Sequence, residues 1–157
     1  MIKIKHTCRC KAPRQFAYDE YLGIGNYYTK LSNDHISYEI VGDIIKINEK
    51  SWFQNVEHNY KIIEKINGSK MRLVSKDSQV TLFGLIRAKS MSITSFEFVD
   101  SDVSAKSKVK LMIEIHFPNK FRELLARLFL TPQIWNTHAK DELLHLCRHI
   151  ETKFRVQ

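Results

Sequence analysis

The sequence predicts an α+β domain, and three observations lead to this fold class. Residues 2–10 alternate between apolar and polar side chains, which is typical of a half-buried strand. Residues 35–117 contain a series of strand-like runs separated by turn residues. Residues 132–157 carry apolar side chains at helical spacing, which predicts a long amphipathic helix at the end of the chain. A length of 157 residues suits one domain over residues 1–157.

The first predicted strand presents one continuous face, formed by Ile2, Ile4, His6, Cys8 and Cys10. The segment KAPRQFAYDEYL follows it and predicts a helix, with Pro13 suited to the first turn. Residues 26–34, NYYTKLSND, predict a short helix or a loop. Turns are expected at Gly42-Asp43, at Asn67-Gly68 and near residues 100–104, which divides the middle of the chain into about six strands.

Two helices are predicted to close the chain. Asn119 is a suitable N-cap for a short helix in which Phe121, Leu124, Leu125 and Leu128 form an apolar stripe, and we expect this stripe to be buried. Thr131 and Pro132 then suit the N-cap and the first position of the long helix. The apolar arc of the long helix consists of Trp135, Ala139, Leu143, Leu146, Cys147, Ile150 and Phe154.

Composition narrows the class of protein. The hydrophobic fraction of 43% and the charged fraction of 27% are ordinary for a globular domain. No apolar run approaches the roughly 18 residues of a membrane span, and the N-terminus resembles no signal peptide, so we expect a cytoplasmic protein. The three cysteines are too few and too scattered for a disulfide framework. The net charge of +8 is spread along the chain, which favours solubility over specific nucleic-acid binding.

A polar stripe on the long helix is the strongest candidate for chemistry. His138, Glu142, His145 and His149 recur at i, i+3 and i+4 spacings, at which helical side chains meet. Imidazole and carboxylate groups suit zinc or iron, and a facing strand would have to add a ligand, for which His58 is the best candidate. The alternative is that these residues form the half-exposed border of an amphipathic helix, with no cofactor bound.

The order of elements resembles that of the START/Bet v 1-like (SRPBCC) superfamily, in its polyketide cyclase/dehydrase and lipid-transport group. The matching segments are the opening strand running into KAPRQFAYDEYL and the closing FPNKFRELLARLFLTPQIWNTHAKDELLHLCRHIE. The chain departs from the family where members usually carry a Trp or Pro-Trp, since it has GNYYTKLSND there. The resemblance implies a helix-grip fold, in which a curved antiparallel sheet of about six or seven strands wraps around the C-terminal helix and encloses a hydrophobic cavity.

Two predicted strand faces would line such a cavity. One carries Trp52, Gln54, Val56, His58, Tyr60 and Ile62, and the other carries Met91, Ile93, Ser95 and Glu97. Apolar walls with a few hydrogen-bonding groups are typical of small-molecule sites. The predicted ligand-binding residues are therefore Trp52, His58, Tyr60, Met91, Trp135, His138 and Glu142.

A second resemblance concerns His138 and Glu142. Their HxxxE spacing is similar to the helical half of the zinc site in diacetylphloroglucinol hydrolase-type proteins, which share the fold. In that comparison zinc would activate water. The strand half is not identifiable, since His58, Glu64, Glu97 and Glu114 are all conceivable ligands.

These observations leave three hypotheses for the function. The first is a protein that binds a hydrophobic or aromatic small molecule, a lipid included, in the cavity. The second is a cavity enzyme, either a cyclase/dehydratase or a metal-assisted hydrolase, using His58, His138 and Glu142. Nucleic-acid binding ranks last, because the chain has no phosphate-binding loop and no interleaved basic and aromatic residues. Membrane contact is expected to be peripheral at most, through Lys120, Arg122 and Arg127.

Overall fold

The computed structural model describes residues 1–51, 54–82, 84–101, 107–129 and 132–156, with residues 51, 82, 86, 129 and 132 described by their backbone alone. Within these ranges the strands are β1 (Ile2–Cys10), β2 (His35–Val41), β3 (Ile44–Ser51), β4 (Gln54–Ile66), β5 (Lys70–Leu82), β6 (Ile86–Asp100) and β7 (Ser107–His116). The α-helices of the same ranges are α1 (Arg14–Leu22), α2 (Tyr28–Leu31), α3 (Lys120–Phe129) and α4 (Pro132–Val156), with a 3₁₀ turn at Ile24–Asn26.

The strands form one antiparallel sheet in the order β1-β7-β6-β5-β4-β3-β2. The predicted turns at residues 42–43 and 67–68 are confirmed, and Gly42 and Gly68 adopt the φ values of 64° and 66° that glycine accepts without strain. The third predicted turn falls largely on residues 102–106, outside the described part of the chain. The predicted α+β helix-grip arrangement is confirmed: the curved sheet wraps around α4.

Helix α4 supplies one side of the core. Its predicted apolar arc is confirmed, because Ala139, Leu143, Leu146, Cys147 and Ile150 are buried, while the two ends of the arc are half-buried. Burying each leucine or isoleucine side chain of this set contributes about 1.5–3 kcal/mol relative to exposure. The helix is therefore held along most of its length, which fixes the side chains on its adjacent polar border.

Strand β2 contains a β-bulge at its start. From Val41 back to Ser37 the strand pairs regularly with β3, but the next paired residue is His35, which lies opposite Glu49. Ile36 is left unpaired and is 56% exposed. Because a bulge adds one residue, every side chain before it changes face. His35 consequently points toward α4, where regular alternation would have placed Ile36.

Helix α3 differs from the prediction in its exposure. The Asn119 side chain accepts a hydrogen bond from the Arg122 backbone N–H at 2.8 Å, which confirms the predicted cap. The apolar stripe expected to be buried is instead exposed, and only Ala126 on this helix is buried among its described side chains. The helix packs against the rest of the domain through Ala126, and the apolar stripe therefore faces outward. None of the described helices is long and apolar enough to cross a membrane.

Candidate functional site

A cavity of about 250 Å³ lies between the inner face of the sheet and α4. Most of its wall is apolar and comes from the central strands and from the helices at the open side. These apolar residues include Tyr21, Ile24, Ile45, Ile47, Met71, Leu73, Phe96, Leu111, Ile113, Ile115 and Trp135. Its walls have the composition typical of a small-molecule site.

The mouth of the cavity is marked by lining residues that are also exposed: Leu22, Ile40, Ile62 and Lys65. The cavity thus opens between the end of α1 and the ends of β2, β3 and β4. His58 lies four residues before Ile62 on β4, so at about 3.3 Å per residue it sits roughly 13 Å further inside. We call the region around His58 and Glu49 the deep end.

Hydroxyl groups form one side of the cavity. The Tyr60 hydroxyl lies 3.0 Å from Ser92 Oγ and 3.1 Å from Thr94 Oγ1, within hydrogen-bond distance of both. Burial raises the pKa of Tyr60 to about 12, so the phenol is protonated at neutral pH. The His58 ring stacks on Tyr60 at 4.9 Å and its Nδ1 lies 2.8 Å from Ser78 Oγ. These groups offer hydrogen bonds to a polar ligand atom.

A cluster of titratable side chains occupies the deep end. One ligating atom from each of His35, Glu49 and His138 lies within 4.8 Å of the other two. Glu142 Oε1 approaches His35 Nε2 at 4.0 Å, and the Tyr28 hydroxyl donates a hydrogen bond to Glu49 Oε1. Strands β2 and β3 supply His35 and Glu49, and α4 supplies the other two, so the cluster joins the sheet to the helix.

Both imidazoles of the cluster are oriented through Nδ1. His35 Nδ1 lies 2.8 Å from the Tyr28 carbonyl oxygen, and His138 Nδ1 lies 3.4 Å from Asp34 Oδ2. A carbonyl and a carboxylate are acceptors, so an N–H on Nδ1 suits both contacts. The Nε2 atoms are buried, and neither has a hydrogen-bond partner among the described residues.

The two carboxyl groups of the cluster differ in protonation. Burial opposes ionisation of Glu49, but attraction to positively charged imidazoles, that of His58 first, and the hydrogen bond from Tyr28 outweigh burial and lower the pKa of this carboxyl. Burial and the charge of Glu49 raise the pKa of Glu142 to about 8. Neutral pH therefore finds Glu49 ionised and Glu142 protonated. Separation of two carboxyl pKa values in this way is typical of acid–base sites.

A second opening reaches the cluster from outside. A surface groove of about 810 Å³ runs along α4 beside the segment that contains Asp34, and His138 and Glu142 line both this groove and the cavity. Asp34 faces the groove, whereas Glu49 faces the cavity. The His138 ring therefore separates the two spaces, and polar solutes can approach the cluster without crossing the apolar cavity.

Five of the predicted ligand-binding residues line the cavity: His58, Tyr60, Trp135, His138 and Glu142. Trp52 lies outside the described residues. Met91 is not among the residues that line this cavity: Ser92, Thr94 and Phe96 do, and alternation along β6 places Met91 on the other face of the strand. Neither face of this strand is purely apolar, and its alternation therefore gives no clear phase.

The polar stripe on α4 divides into two parts. His138 and Glu142 reach the cluster, whereas His145 Nδ1 contacts the Leu31 carbonyl oxygen and the His149 ring stacks on Tyr27 at 3.7 Å. The last two residues therefore fasten α4 to the segment around α2.

Sequence reasoning missed His35 and Glu49. His58 is the strand residue that the sequence favours as a partner for His138, but the atoms that converge with His138 belong to His35 and Glu49. Glu49 has a detectable signal, because it continues the inward face of Ile45 and Ile47 and is an acidic residue at a core position. His35 has none, since the bulge at Ile36 decides its direction.

Comparisons with solved structures agree with this architecture. A protein from Thermus thermophilus superposes with a TM-score of 0.74 at 12% identity, over 96% of this chain and 98% of the other. A START superfamily protein from Mycobacterium smegmatis gives a TM-score of 0.58 at 9% identity, over 98% and 97% of the two chains. The fold is the START/Bet v 1-like helix-grip fold.

Another START/Bet v 1-like structure is that of truncated norcoclaurine synthase from Thalictrum flavum, with a TM-score of 0.60, 15% identity and coverage of 94% of this chain and 92% of the other. No protein-family model matches the chain, and no curated protein matches it either. At these identities the likeness establishes the fold and leaves the chemistry to the residues of the site.

Proposed function

We propose that the protein binds a small, mostly apolar molecule in the cavity, with a polar group of that molecule directed toward the deep end. The observation that carries this proposal is the composition of the lining: most of the lining residues are apolar, and a few polar side chains, including those of Tyr60, His58 and Glu49, are set among them. An apolar wall with a few convergent polar groups provides affinity through burial and orientation through hydrogen bonds. The START/Bet v 1-like fold supports the same conclusion, because one neighbour is a synthase and therefore accommodates small molecules.

The volume restricts the ligand class. About 250 Å³ equals the space of about eight water molecules at roughly 30 Å³ each, and lies just below the roughly 300–1,000 Å³ of sites for drug-sized ligands. This favours a phenol or another molecule of one or two rings over a lipid with long chains. A hydroxyl group on the ring would meet the polar side chains of the deep end.

Calorimetric titration with phenol, 1-naphthol and palmitate tests the proposal. We expect 1-naphthol to bind and palmitate to bind at least tenfold more weakly. Ile113→Trp fills the cavity from β7 and should weaken 1-naphthol binding at least tenfold, because Ile113 lines the space. Ile63→Trp is the matched control, since Ile63 is exposed beside the cavity-lining Ile62. If none of the three probes binds, or if the filled variant binds 1-naphthol as well as the wild type, the proposal is wrong.

A second candidate function is catalysis in the same cavity. The observation that favours it is the pairing of an ionised Glu49 with a protonated Glu142 beside two imidazoles. A carboxylate and a carboxylic acid held together can accept and donate a proton in one cycle, as a cyclase or dehydratase requires. A metal-assisted hydrolase is the other form of this candidate, with water held next to the same groups.

Catalysis of this kind would depend on the protonation states of Glu49 and Glu142 at the deep end. A screen of phenolic esters and hydroxylated ring ketones, followed by liquid chromatography, measures turnover in the two reaction classes. Glu142→Gln retains the shape of the side chain and should abolish turnover while leaving 1-naphthol binding within a factor of about three. Turnover that survives Glu142→Gln would contradict this candidate and leave the binding function intact.

A further inference from the structure

We infer that His35, Glu49 and His138 form a binding site for one divalent first-row transition-metal ion, with zinc as the expected occupant. Binding of the ion would not require an organic ligand in the cavity. It rests on the convergence of three ligating atoms within 4.8 Å, contributed by β2, β3 and α4. Two imidazole nitrogens and one carboxylate oxygen are a common protein ligand set for a catalytic zinc ion.

The first support is the orientation of the rings. Zinc-binding histidines usually donate the N–H of the second nitrogen to a carbonyl or carboxylate oxygen, which fixes the ring and the tautomer. His35 Nδ1 lies 2.8 Å from the Tyr28 carbonyl oxygen, in this place, and His138 Nδ1 lies in an ion-pair contact 3.4 Å from Asp34 Oδ2. Both rings thus have an oxygen acceptor beside Nδ1, which leaves Nε2 available to a metal ion.

The second support is that these donors are otherwise unused. His35 Nε2 and His138 Nε2 are buried and lack a hydrogen-bond partner among the described residues. His138 Nε2 lies 3.7 Å from Glu49 Oε2, too far for a hydrogen bond but suitable for two atoms that share an ion. An unpaired buried polar atom costs about 1–3 kcal/mol, and a metal ion would satisfy both nitrogens at once.

The third support is the size of the triangle. When three atoms are at most 4.8 Å apart, some point lies within about 2.8 Å of all three, whereas zinc–nitrogen and zinc–oxygen bonds are about 2.0–2.2 Å long. Each ligand would need to move by less than about 1 Å, which small rotations of the side chains provide. The cluster is thus close to a ligand shell in the absence of an ion.

The local charge of the cluster and its access from the surface also favour binding of a cation. Although the chain carries a net charge of +8, the carboxyl groups of Asp34 and Glu49 lie beside the imidazoles and favour a cation locally. The groove along α4 reaches His138 and Glu142 from the surface, so an ion and a water molecule can enter from that side. Glu142 lies next to the triangle and is placed to accept a hydrogen bond from water on the ion.

The test uses the full chain after treatment with EDTA and dialysis. Isothermal titration with Zn²⁺ should give one ion per chain. His35→Ala, Glu49→Ala and His138→Ala should each weaken binding at least a hundredfold, and Asp34→Ala about ten- to hundredfold, because Asp34 orients a ligand. His149→Ala is the matched control, since His149 lies on the same helix and packs against Tyr27 instead. This control should retain the wild-type affinity. Circular dichroism identifies any variant that fails to fold.

Binding of Co²⁺ to the metal-free wild-type protein provides a second test, which does not depend on whether the variants fold. Co²⁺ should produce visible absorption of a nitrogen- and oxygen-ligated ion and no thiolate-to-cobalt charge transfer. A thiolate band would place the ion at the cysteines and overturn the inference. So would an absence of stoichiometric Zn²⁺ binding, or equal losses of affinity in His149→Ala and His35→Ala. Binding of 1-naphthol to the metal-free protein is measured separately, so failure of the metal site and failure of the cavity proposal are distinguishable.

Discussion

His35 and Glu49 lie directly opposite each other across β2 and β3, and both side chains face α4. Regular pairing would place Ile36 opposite Glu49, so this relationship depends on the unpaired residue in β2. Bulges are enriched next to functional sites, where they redirect a side chain. Here the redirected side chain is an imidazole that reaches His138 on α4.

The bulge itself can be tested by a pair of substitutions. Ile36→Lys should change the free energy of unfolding by no more than about 0.5 kcal/mol, because Ile36 faces solvent. Ile47→Lys should cost about 3 kcal/mol or more, since it places a charge on the inner face. Urea unfolding measures both. A similar large loss in the two variants would show that Ile36 is buried and that the bulge is absent.

The pH dependence of stability should report the protonation of Glu142. Its pKa rises from an ordinary value of 4.5 to about 8 on folding, so the folded state holds a proton that the unfolded state releases. This contribution is complete below pH 4.5 and is lost as the pH rises to about 8, at no more than roughly 1.4 kcal/mol per pH unit.

Glu142→Gln removes this titration while retaining the volume of the side chain. In metal-free protein the variant should therefore gain stability relative to the wild type between pH 5 and 8, by no more than about 1.4 kcal/mol per pH unit. Urea unfolding at a series of pH values, with EDTA present, measures the difference. A difference that is constant over this range would mean that Glu142 titrates normally in the folded protein.

The contribution of α4 packing to the free energy of unfolding should be measurable by truncating one buried residue of the helix. Leu143 is fully buried, so Leu143→Ala should lower the free energy of unfolding by about 2–5 kcal/mol. Leu124→Ala on α3 makes the same chemical change at an exposed site and should cost less than about 0.5 kcal/mol. Equal losses at both positions would contradict the outward orientation of the α3 stripe.

The absence of a side chain at Gly25 allows the Tyr38 ring to pack closely against the backbone beside the cavity. A Cβ atom at this position would lie 2.8 Å from the Tyr38 ring, which lines the cavity. Gly25→Ala should displace the ring, cost about 1–3 kcal/mol and weaken 1-naphthol binding. Gly23→Ala is the control, because the nearest atom to its Cβ would be 3.5 Å away. Calorimetry and thermal unfolding of both variants should separate them clearly, and identical behaviour would argue against the close approach.

Much of the fold was predictable because local patterns and tertiary structure agree. The alternation from Ile2 to Cys10 sets the inner face of β1, and the spacing of Leu143, Leu146 and Ile150 sets the buried face of α4. Turn dipeptides located two hairpins, since glycine alone accepts the required φ without cost. These features depend on residues that are close together in the sequence, so a single sequence is enough to predict them.

The candidate site was predictable only on its helical side. His138 and Glu142 share a helix face whatever the rest of the chain does, and both reach the deep end. Which strand residues meet them depends on register, which a single extra residue changes. Met91 shows the same limit, because a strand with mixed faces such as β6 gives no reliable phase. The exposed stripe of α3 was missed because periodicity identifies an apolar face without showing what covers it.

The position of the extra residue in β2 has a consequence for the cluster at the deep end. It lies at the start of the strand, so it sets the facing of the residues before it and leaves the pairing from Ser37 to Val41 unchanged. Without the bulge, the same sequence in regular pairing would turn Ile36 toward Glu49 and His35 away from it. The side chain that meets Glu49 is therefore determined by the backbone of β2 as well as by its sequence.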